Sequence, residues 1–387
     1  MPTLTWADGF HHNTPAAERF GGATDTGIFS AINRPAGVSF ANETYGSAPD
    51  LQIVQDGINF TNVQRGIPAS NRMVVASFYF KLPSGAPSVA SRMFMLTGPT
   101  TTLKVWIETN GTISVGNNAG ETIGPNVADA GVHRLDLRYD TSGTTFTVDW
   151  AVDGSAQTQA TLAGQTAADM TLWQLGSGSS PHTLTCRYWH YVMSYTSGDH
   201  PIGDHRVNVL PPTGDGTHNS GTDIMEDQAG TDIVSPNAFP LINEWPAETT
   251  DYIRAFAAGA GNYAEVTFDD VSETTIWAVT GFAALRSDGT DPNSGTTRIV
   301  DSAGATLTDI YAGDMSETVP HYRAALIADP GGDGWSQSDL NGVKCRVGFS
   351  SGQPAQPRWL AALLQYAVPV TAAAAPTLRT VATPLRW

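Results

Sequence analysis

The chain has little of what several functional classes require. Of its 387 residues only two are cysteine and three are lysine, and the formal net charge is −17. The cysteines, Cys186 and Cys345, lie far apart and are predicted to be free, half-buried thiols. The acidic balance excludes the basic face that nucleic acids and anionic membranes require. No apolar run reaches the ~18 residues of a membrane span, and we expect no signal peptide in "MPTLTWADGF".

Helical periodicity is also scarce, because apolar residues recur with a period of two, which is typical of half-buried strands. In "TFTVDWAVDG" the alternate residues from Phe146 to Val152 share one apolar face, and Asp153-Gly154 supplies the turn. Short strands with turn residues between them predict an all-β protein, an antiparallel sandwich or jelly roll. Further predicted strands are Met73–Leu82, Thr102–Thr109, His133–Asp140, Thr183–Tyr195, Tyr263–Asp270, Thr274–Ser287 and Val343–Ser351.

The length favours two or three domains. We predict a jelly-roll domain over residues 1–208, an extended connector over 209–250, a smaller β-sandwich over 251–369 and a C-terminal arm over 370–387. The apolar run Trp359–Val368 fits a helix or a buried strand equally well. The Ala/Thr/Pro-rich end of the chain fits either a disordered tail or an arm that docks on a neighbouring subunit. The anchors of such an arm would be Leu378, Leu385 and Trp387.

Catalytic motifs are weak. The "GFSSG" around Ser350 matches a serine-hydrolase pattern, but prolines follow it instead of the helix which that chemistry needs. The acid pairs Asp136/Asp140 and Glu265/Asp269 are the candidates for sugar cleavage. No strand carries the alternating Glu-x-Asp-x-Glu run, so these acids are predicted to be solvated strand faces and turn caps. We therefore expect no enzyme activity.

The segment from Tyr188 to Gly221 is rich in histidine and aspartate. Zinc sites use short ligand pairings such as His-x3-His, which this segment lacks. Its loop carboxylates Asp199, Asp204 and Asp215 are candidate calcium ligands, although acid-and-glycine turns are also ordinary β-protein bends. No other cofactor is predicted. The histidines of this segment are His190, His200, His205 and His218.

Tryptophans supply the candidates for a glycan-binding site. The candidates are Trp106, Trp173 and Trp189, of which Trp106 and Trp189 lie on predicted strands; an exposed indole at any of the three would stack on a sugar ring. The same positions fit a buried core. The pattern of alternation alone leaves both interpretations open.

Between Tyr188 and His218 the segments "YWHYV", "DHPIGDHRV" and "TGDGTH" follow one another, and the chain opens with "LTWADGFHH". This order resembles the laminin G-like, concanavalin A-like jelly rolls of virion proteins from tailed bacteriophages, especially those of actinobacterial hosts. Trp189 and His190 stand near the positions where that family has acids, and His200 stands where it has tyrosine. The resemblance covers about residues 1–220; "YAEVTF" and "GGDGWSQSDLNGVKCRVGFSS" resemble the small sandwich that often follows.

The resemblance implies a non-enzymatic structural component of a tailed-phage virion, in the minor tail, the collar or the head decoration. Such a protein is made in the host cytoplasm without a signal peptide and released by lysis. Its expected partners are other virion proteins and further copies of itself, with a trimer as the favoured oligomer. The alternative is a carbohydrate-binding adhesin module that recognises host glycans; a glycan-cleaving enzyme is disfavoured by the missing acid pair.

Overall fold

The structure is a computed structural model. The residues it describes are 2–10, 31–33, 38–45, 48–58, 61–98, 102–118, 120–163, 165–177, 182–218, 225–229, 231, 233, 238–243, 251–255, 263–286, 293–315, 321–349, 358–370 and 378–380.

Strands dominate the described residues, as predicted, and the single α-helix among them, α1, spans only Gln337–Asn341. No helix in this part of the chain is long and apolar enough to cross a membrane. The strands are β1 Leu4–Asp8, β2 Ala31–Asn33, β3 Val38–Tyr45, β4 Ala48–Val54, β5 Thr61–Asn71, β6 Met73–Lys81, β7 Ser91–Thr97, β8 Thr102–Ile107, β9 Thr112–Gly116, β10 Thr122–Asn126, β11 His133–Asp140, β12 Phe146–Val152, β13 Ser155–Ala156, β14 Ala160–Leu162, β15 Met170–Ser177, β16 Thr185–Ser194, β17 His205–Leu210, β18 Pro212–Asp215, β19 Met225–Glu226, β20 Ile253–Ala255, β21 Tyr263–Phe268, β22 Ala278–Arg286, β23 Asn293–Val300, β24 Thr306–Met315, β25 His321–Leu326, β26 Lys344–Phe349, β27 Arg358–Pro369 and β28 Leu378–Thr380.

The N-terminal half is a jelly roll of two antiparallel sheets. The back sheet runs β13-β12-β11-β6-β16-β4-β3-β28, with β1 also on β16 and β14 also on β12. The front sheet runs β10-β9-β8-β7-β15-β5-β2. Alternate side chains of both sheets form one core that includes Phe78, Phe94, Leu137, Trp150 and Trp173. The fold class predicted from the sequence is confirmed.

The C-terminal half is a smaller sandwich of two further antiparallel sheets. The third sheet runs β19-β20-β27-β22-β25 with β17 also on β27, and the fourth runs β18-β21-β26-β23-β24. The run Trp359–Val368 is a strand, β27, with other strands on both sides. Both of its faces are covered, so nearly every residue in it is apolar and buried.

The two sandwiches pack directly against each other. Trp6 on β1 meets Phe282 on β22 edge to face, with ring centroids 6.2 Å apart. The backbone N–H of Gly9 donates to Oε1 of Gln365 on β27 at 2.6 Å. Residues of the third sheet, among them Phe282 and Leu363, complete the jelly-roll core. Strand β1 therefore joins the halves through apolar burial and a buried hydrogen bond.

Several local predictions are confirmed. The inward face of β12 is buried, and the turn residues Asp153 and Gly154 both have positive φ, 52° and 79°. Strand β11 has the predicted limits and pairs with β12. Both cysteines are free but fully buried, not half-buried, and burial raises the pKa of each thiol to about 12.

The predicted connector differs from expectation where it is described. Strand β17, which crosses the predicted boundary at residue 208, pairs with β27 of the C-terminal sandwich, and β18 pairs with β21. The sequence of the C-terminal segment fits both a disordered tail and an arm that docks on a neighbouring subunit; the backbone of Leu378–Thr380 pairs with this chain's own β3, and docking on another subunit stays a prediction. Leu385 and Trp387 lie outside the described residues, as do Ser350 and the His11-His12 pair of the opening motif. The predicted domain limits stay a prediction.

Candidate functional site

Trp106 lies on the outer side of the front sheet. Along β8 the side chains of Leu103, Val105 and Ile107 enter the core, whereas Lys104 and Trp106 point the other way. Of the eight tryptophans in the described residues, only Trp106 and Trp277 are half-buried, and the other six are buried. Trp106 is therefore the one glycan-binding candidate from the sequence that reaches the surface.

The strand register places a row of side chains across this outer face. Trp106 on β8 is paired with Arg92 on β7 and with Ser114 on β9. Ser114 is paired in turn with Ile123 on β10. The Arg92 guanidinium carbon lies 5.7 Å from the indole centroid and the Lys104 Nζ lies 5.8 Å from it. The His182 ring approaches edge-on at 5.7 Å. We call the residues Arg92, Lys104, Trp106, Ser114, Ile123 and His182 the Trp106 surface.

His182 has a defined protonation state on this surface. Arg92 Nε donates to His182 Nε2 at 3.3 Å, so the ring proton sits on Nδ1, which faces the carbonyl oxygen of Ala90 at 3.2 Å. Burial lowers the pKa of His182, and the charges of Arg92 and Lys104 lower it further. His182 is therefore neutral at pH 7 and serves to position Arg92.

Polar atoms without partners remain beside the indole. Nε1 of Trp106 is buried and has no hydrogen-bond partner among the described residues, and the same holds for Oδ1 of Asn117. Asn117 adjoins the site because its carbonyl oxygen accepts from Lys104 Nζ at 2.8 Å. A buried donor and a buried acceptor that both lack partners are costly unless a ligand or water satisfies them.

Exposed apolar side chains surround the same region. Ile123, in the row with Trp106, is 60% exposed. Val89 and Ile58 are also exposed, and both lie on loops tied to the His182 segment. The Val89 N–H donates to Oγ1 of Thr183, and the N–H of Gly57 donates to the carbonyl oxygen of His182. An apolar patch rimmed by polar groups is typical of a binding surface.

The other two tryptophan candidates are core residues. Trp173 on β15 is fully buried and stacks on Tyr191 with ring centroids 4.5 Å apart. Trp189 on β16 is fully buried against Tyr79. The prediction that they stack on sugars is wrong, because alternation placed both indoles on covered faces.

The three predicted calcium ligands do not form one site. Asp199 accepts from the Thr3 N–H and from Ser194 Oγ, and Asp204 pairs with Arg134. Asp215 accepts from the N–H groups of Ala238 and Phe239 and lies beside His218. No group of three or more His, Cys, Asp or Glu side chains within the described ranges could hold a metal. The carboxylates are committed to protein donors in separate places.

A thermal-shift assay checks this correction. Because Asp199, Asp204 and Asp215 form no shared site, these carboxylates give calcium no preferential affinity for the folded state and no linked stabilisation. We expect the same Tm in EDTA and in millimolar calcium chloride. A calcium-dependent rise in Tm that disappears in Asp204→Asn would contradict the correction.

The histidines of the segment serve a structural purpose. His190 is fully buried with φ +50°, and its Nδ1 accepts from the Val207 N–H at 3.0 Å. His205 approaches the carbonyl oxygens of His190 and Gly203 at 2.6 and 2.9 Å, and burial lowers its pKa. These bonds join β16 of the jelly roll to β17 of the C-terminal sandwich. The histidine-rich pattern marks the joint between the halves.

The acid pairs are also structural. Asp136 is fully buried and accepts from Arg134 Nε at 2.8 Å, so it is not a solvated face as predicted. Glu265, also buried, pairs with Arg346 and Lys344 at 2.8 and 3.2 Å. Asp140 caps the Ser142 turn, and Asp269 is exposed. Both buried acids are already paired with cations.

A separate cleft of about 630 Å³ opens between β1 and the C-terminal sandwich. Trp277, Trp335, Asp329 and Asp333 help to line it. Trp335 is buried, and the Asp329 carboxylate accepts from the N–H groups of Gly331 and Gly334 within its own loop.

Sequence analysis missed Arg92 and His182. A signal was present for Lys104, because residues two apart on a strand share a face and "LKVWI" therefore places lysine and tryptophan together on the wet side. Placing Arg92 beside Trp106 requires knowledge of the register between β7 and β8. His182 lies on a loop, where alternation gives no information. No local pattern identifies either residue.

The sequence matches no protein-family model and no curated relative. Among solved structures it is similar to a sialidase, with 12% identity and a TM-score of 0.32, over 51% of this chain and 19% of that one. Lectin I-B4 from Griffonia simplicifolia, in its metal-free form, aligns at 10% identity and a TM-score of 0.29 over 49% of this chain and 98% of the lectin. Trypanosoma rangeli sialidase in complex with sialic acid aligns at 13% identity and a TM-score of 0.30 over 41% and 27%. The chain thus spans about a fifth to a quarter of the length of these sialidases. Similarities with such low identities and TM-scores give no information about a ligand or an activity.

Proposed function

We propose that this protein is a non-enzymatic carbohydrate-binding module and that it binds its glycan on the Trp106 surface. The observation that carries the proposal is the half-buried indole of Trp106, whose Nε1 has no partner among the described residues. An indole face accepts the apolar C–H face of a sugar ring by stacking. Sugar hydroxyls, which both donate and accept, would satisfy the buried Nε1 of Trp106 and Oδ1 of Asn117 once the side chains that cover these atoms move.

The remaining groups of the surface support this function. Ile123 and Val89 supply exposed apolar side chains, and Lys104 supplies a half-buried ammonium group 5.8 Å from the indole centroid. Ligand sites typically combine apolar area with a few well-placed polar groups. The pairing of Asp136 with Arg134, and of Glu265 with Arg346, supports binding without bond cleavage, since neither acid is available as a proton donor.

A glycan array with labelled full-length protein tests the proposal. We expect wild type to bind a subset of glycans and Trp106→Ala to lose that binding by at least about tenfold, the size of one lost stacking or hydrogen-bonding contact. Trp277→Ala is the matched control, because it removes the other half-buried tryptophan, in the cleft.

The Trp277→Ala control also distinguishes binding at the Trp106 surface from binding in the cleft. If Trp277→Ala lost binding and Trp106→Ala retained it, the cleft would be the site and the proposal would be wrong. Circular dichroism of both variants confirms that each is folded before its binding is compared.

A further inference from the structure

Basic side chains converge on the Trp106 indole. Arg92 and Lys104 lie 5.7 and 5.8 Å from its centroid, and the His182 ring lies at 5.7 Å. Lys104 is one of only three lysines in a chain of net charge −17. The only half-buried tryptophan of the jelly roll among the described residues therefore lies in a locally cationic environment on an acidic protein.

The charges of Arg92 and Lys104 repel each other. Burial lowers the pKa of Lys104 and the Arg92 charge lowers it further, while Glu121 raises it. Arg92 and Lys104 together also lower the pKa of His182, after burial. Like charges held together on a sheet face reduce stability, and such arrangements are characteristic of functional sites.

Two acids lie nearby, and both are bound within the turn after β9. Glu108 accepts from Ser114 Oγ and from the Gly120 N–H. Glu121 accepts from the Asn117 N–H at 2.7 Å and from Asn118 Nδ2 at 2.8 Å. Their carboxylates hold this turn in place, at the edge of the site next to Lys104.

We propose that the glycan bound at the Trp106 surface is acidic and that its anionic substituent lies against Arg92 and Lys104 while its ring stacks on Trp106. This inference rests on the proposed function. Arg92 is buried, and its Nε and Nη1 donate to His182 Nε2 and Met95 Sδ, so it contributes its charge to the site, and burial strengthens the attraction of that charge by lowering the local dielectric. The half-buried ammonium group of Lys104 supplies the charged hydrogen bond to the anion. The long-range field of the acidic protein opposes such a ligand, so recognition depends on these local cations.

Calorimetric titration with a matched pair of ligands tests the inference. The probes are a tetra-galacturonate and its carboxyl-reduced neutral counterpart, titrated into the full-length protein. We expect the acid to bind at least about tenfold more tightly than the neutral sugar, since one charged hydrogen bond accounts for that much. Added salt should weaken binding of the acid and leave the neutral sugar nearly unaffected.

Variants identify the groups responsible. Lys104→Gln and Arg92→Gln should each reduce the preference for the acid, and Lys104→Arg should restore it. Arg298→Gln, which removes a half-buried arginine in the C-terminal sandwich, should leave the preference unchanged. Arg92 is buried, so its variant risks misfolding. The comparison of Lys104→Gln with Lys104→Arg therefore decides the test.

The outcomes distinguish this inference from the proposed function. Equal affinity for both sugars, with both lost in Trp106→Ala, would overturn the acidic ligand and leave the glycan-binding function in place. Preference for the acid that survives Lys104→Gln and Arg92→Gln would also overturn it. If neither these probes nor any arrayed glycan bound wild type, both proposals would be wrong.

Discussion

Replacing Trp173 by alanine should lower the free energy of unfolding by about 3–5 kcal/mol, the range for removing a large aromatic side chain from a core. Trp173 is fully buried between β5 and β7, and its indole stacks on Tyr191 at 4.5 Å. The cavity left by the indole is flanked by strands on both sides. The surrounding side chains can therefore fill it only in part. Chemical denaturation followed by circular dichroism measures the loss.

Trp106→Ala is the matched control for this prediction. Both residues are tryptophans on adjacent parts of the front sheet, but Trp106 lies on the outer face, so its removal should cost less than about 1.5 kcal/mol. A stable Trp173→Ala protein that had lost glycan binding would contradict the assignment of the two faces.

Replacing Glu265 by glutamine should lower the free energy of unfolding by about 3 kcal/mol, near the lower end for a broken buried pair. The carboxylate is 1% exposed and accepts from Arg346, from Lys344 and from the Thr217 N–H at 3.0 Å. Neutralising it leaves two cations facing an amide. Asp309→Asn, which breaks an exposed pair with Arg298, should cost under about 1 kcal/mol.

Glu265 also makes the stability of the folded protein depend on pH. Burial by itself would raise the pKa of Glu265, but the bonds from Arg346, Thr217 and Lys344 outweigh it and hold that pKa below its ordinary value of 4.5. Its stabilising contribution is complete above that value and is lost as the pH falls through the lowered pKa of the folded state. Wild type should therefore lose stability more steeply in acid than Glu265→Gln; parallel pH profiles would contradict this.

The period-two pattern predicted most of the fold because each strand of a two-layer sandwich has one covered face. β11 and the β12 hairpin follow directly from alternation and from the Asp153-Gly154 turn. The run Trp359–Val368 could not be assigned, since a strand covered on both faces loses its alternation. Its neighbours β22 and β17 are distant in sequence, and only the folded sheet identifies them.

The candidate site was predictable only in part. Alternation marks Trp106 and Trp189 alike as strand residues, and which face of each strand is covered depends on the packing of the rest of the protein. The buried Asp136–Arg134 pair was within reach of the sequence, because residues two apart share a face. The joint formed by His190 and His205 was not, since it depends on backbone carbonyl groups. The virion role implied by the resemblance stays a prediction.

The measurement that tests the central claim most directly is an indole N–H NMR spectrum of the ¹⁵N-labelled protein during titration with a glycan selected by the array. Trp106→Phe assigns the Trp106 signal by its disappearance. We expect that signal to shift in a saturable way, because a sugar hydroxyl becomes the partner of Nε1, while the signals of buried Trp173 and Trp189 stay in place. Saturable binding that leaves the Trp106 signal unmoved would contradict the account.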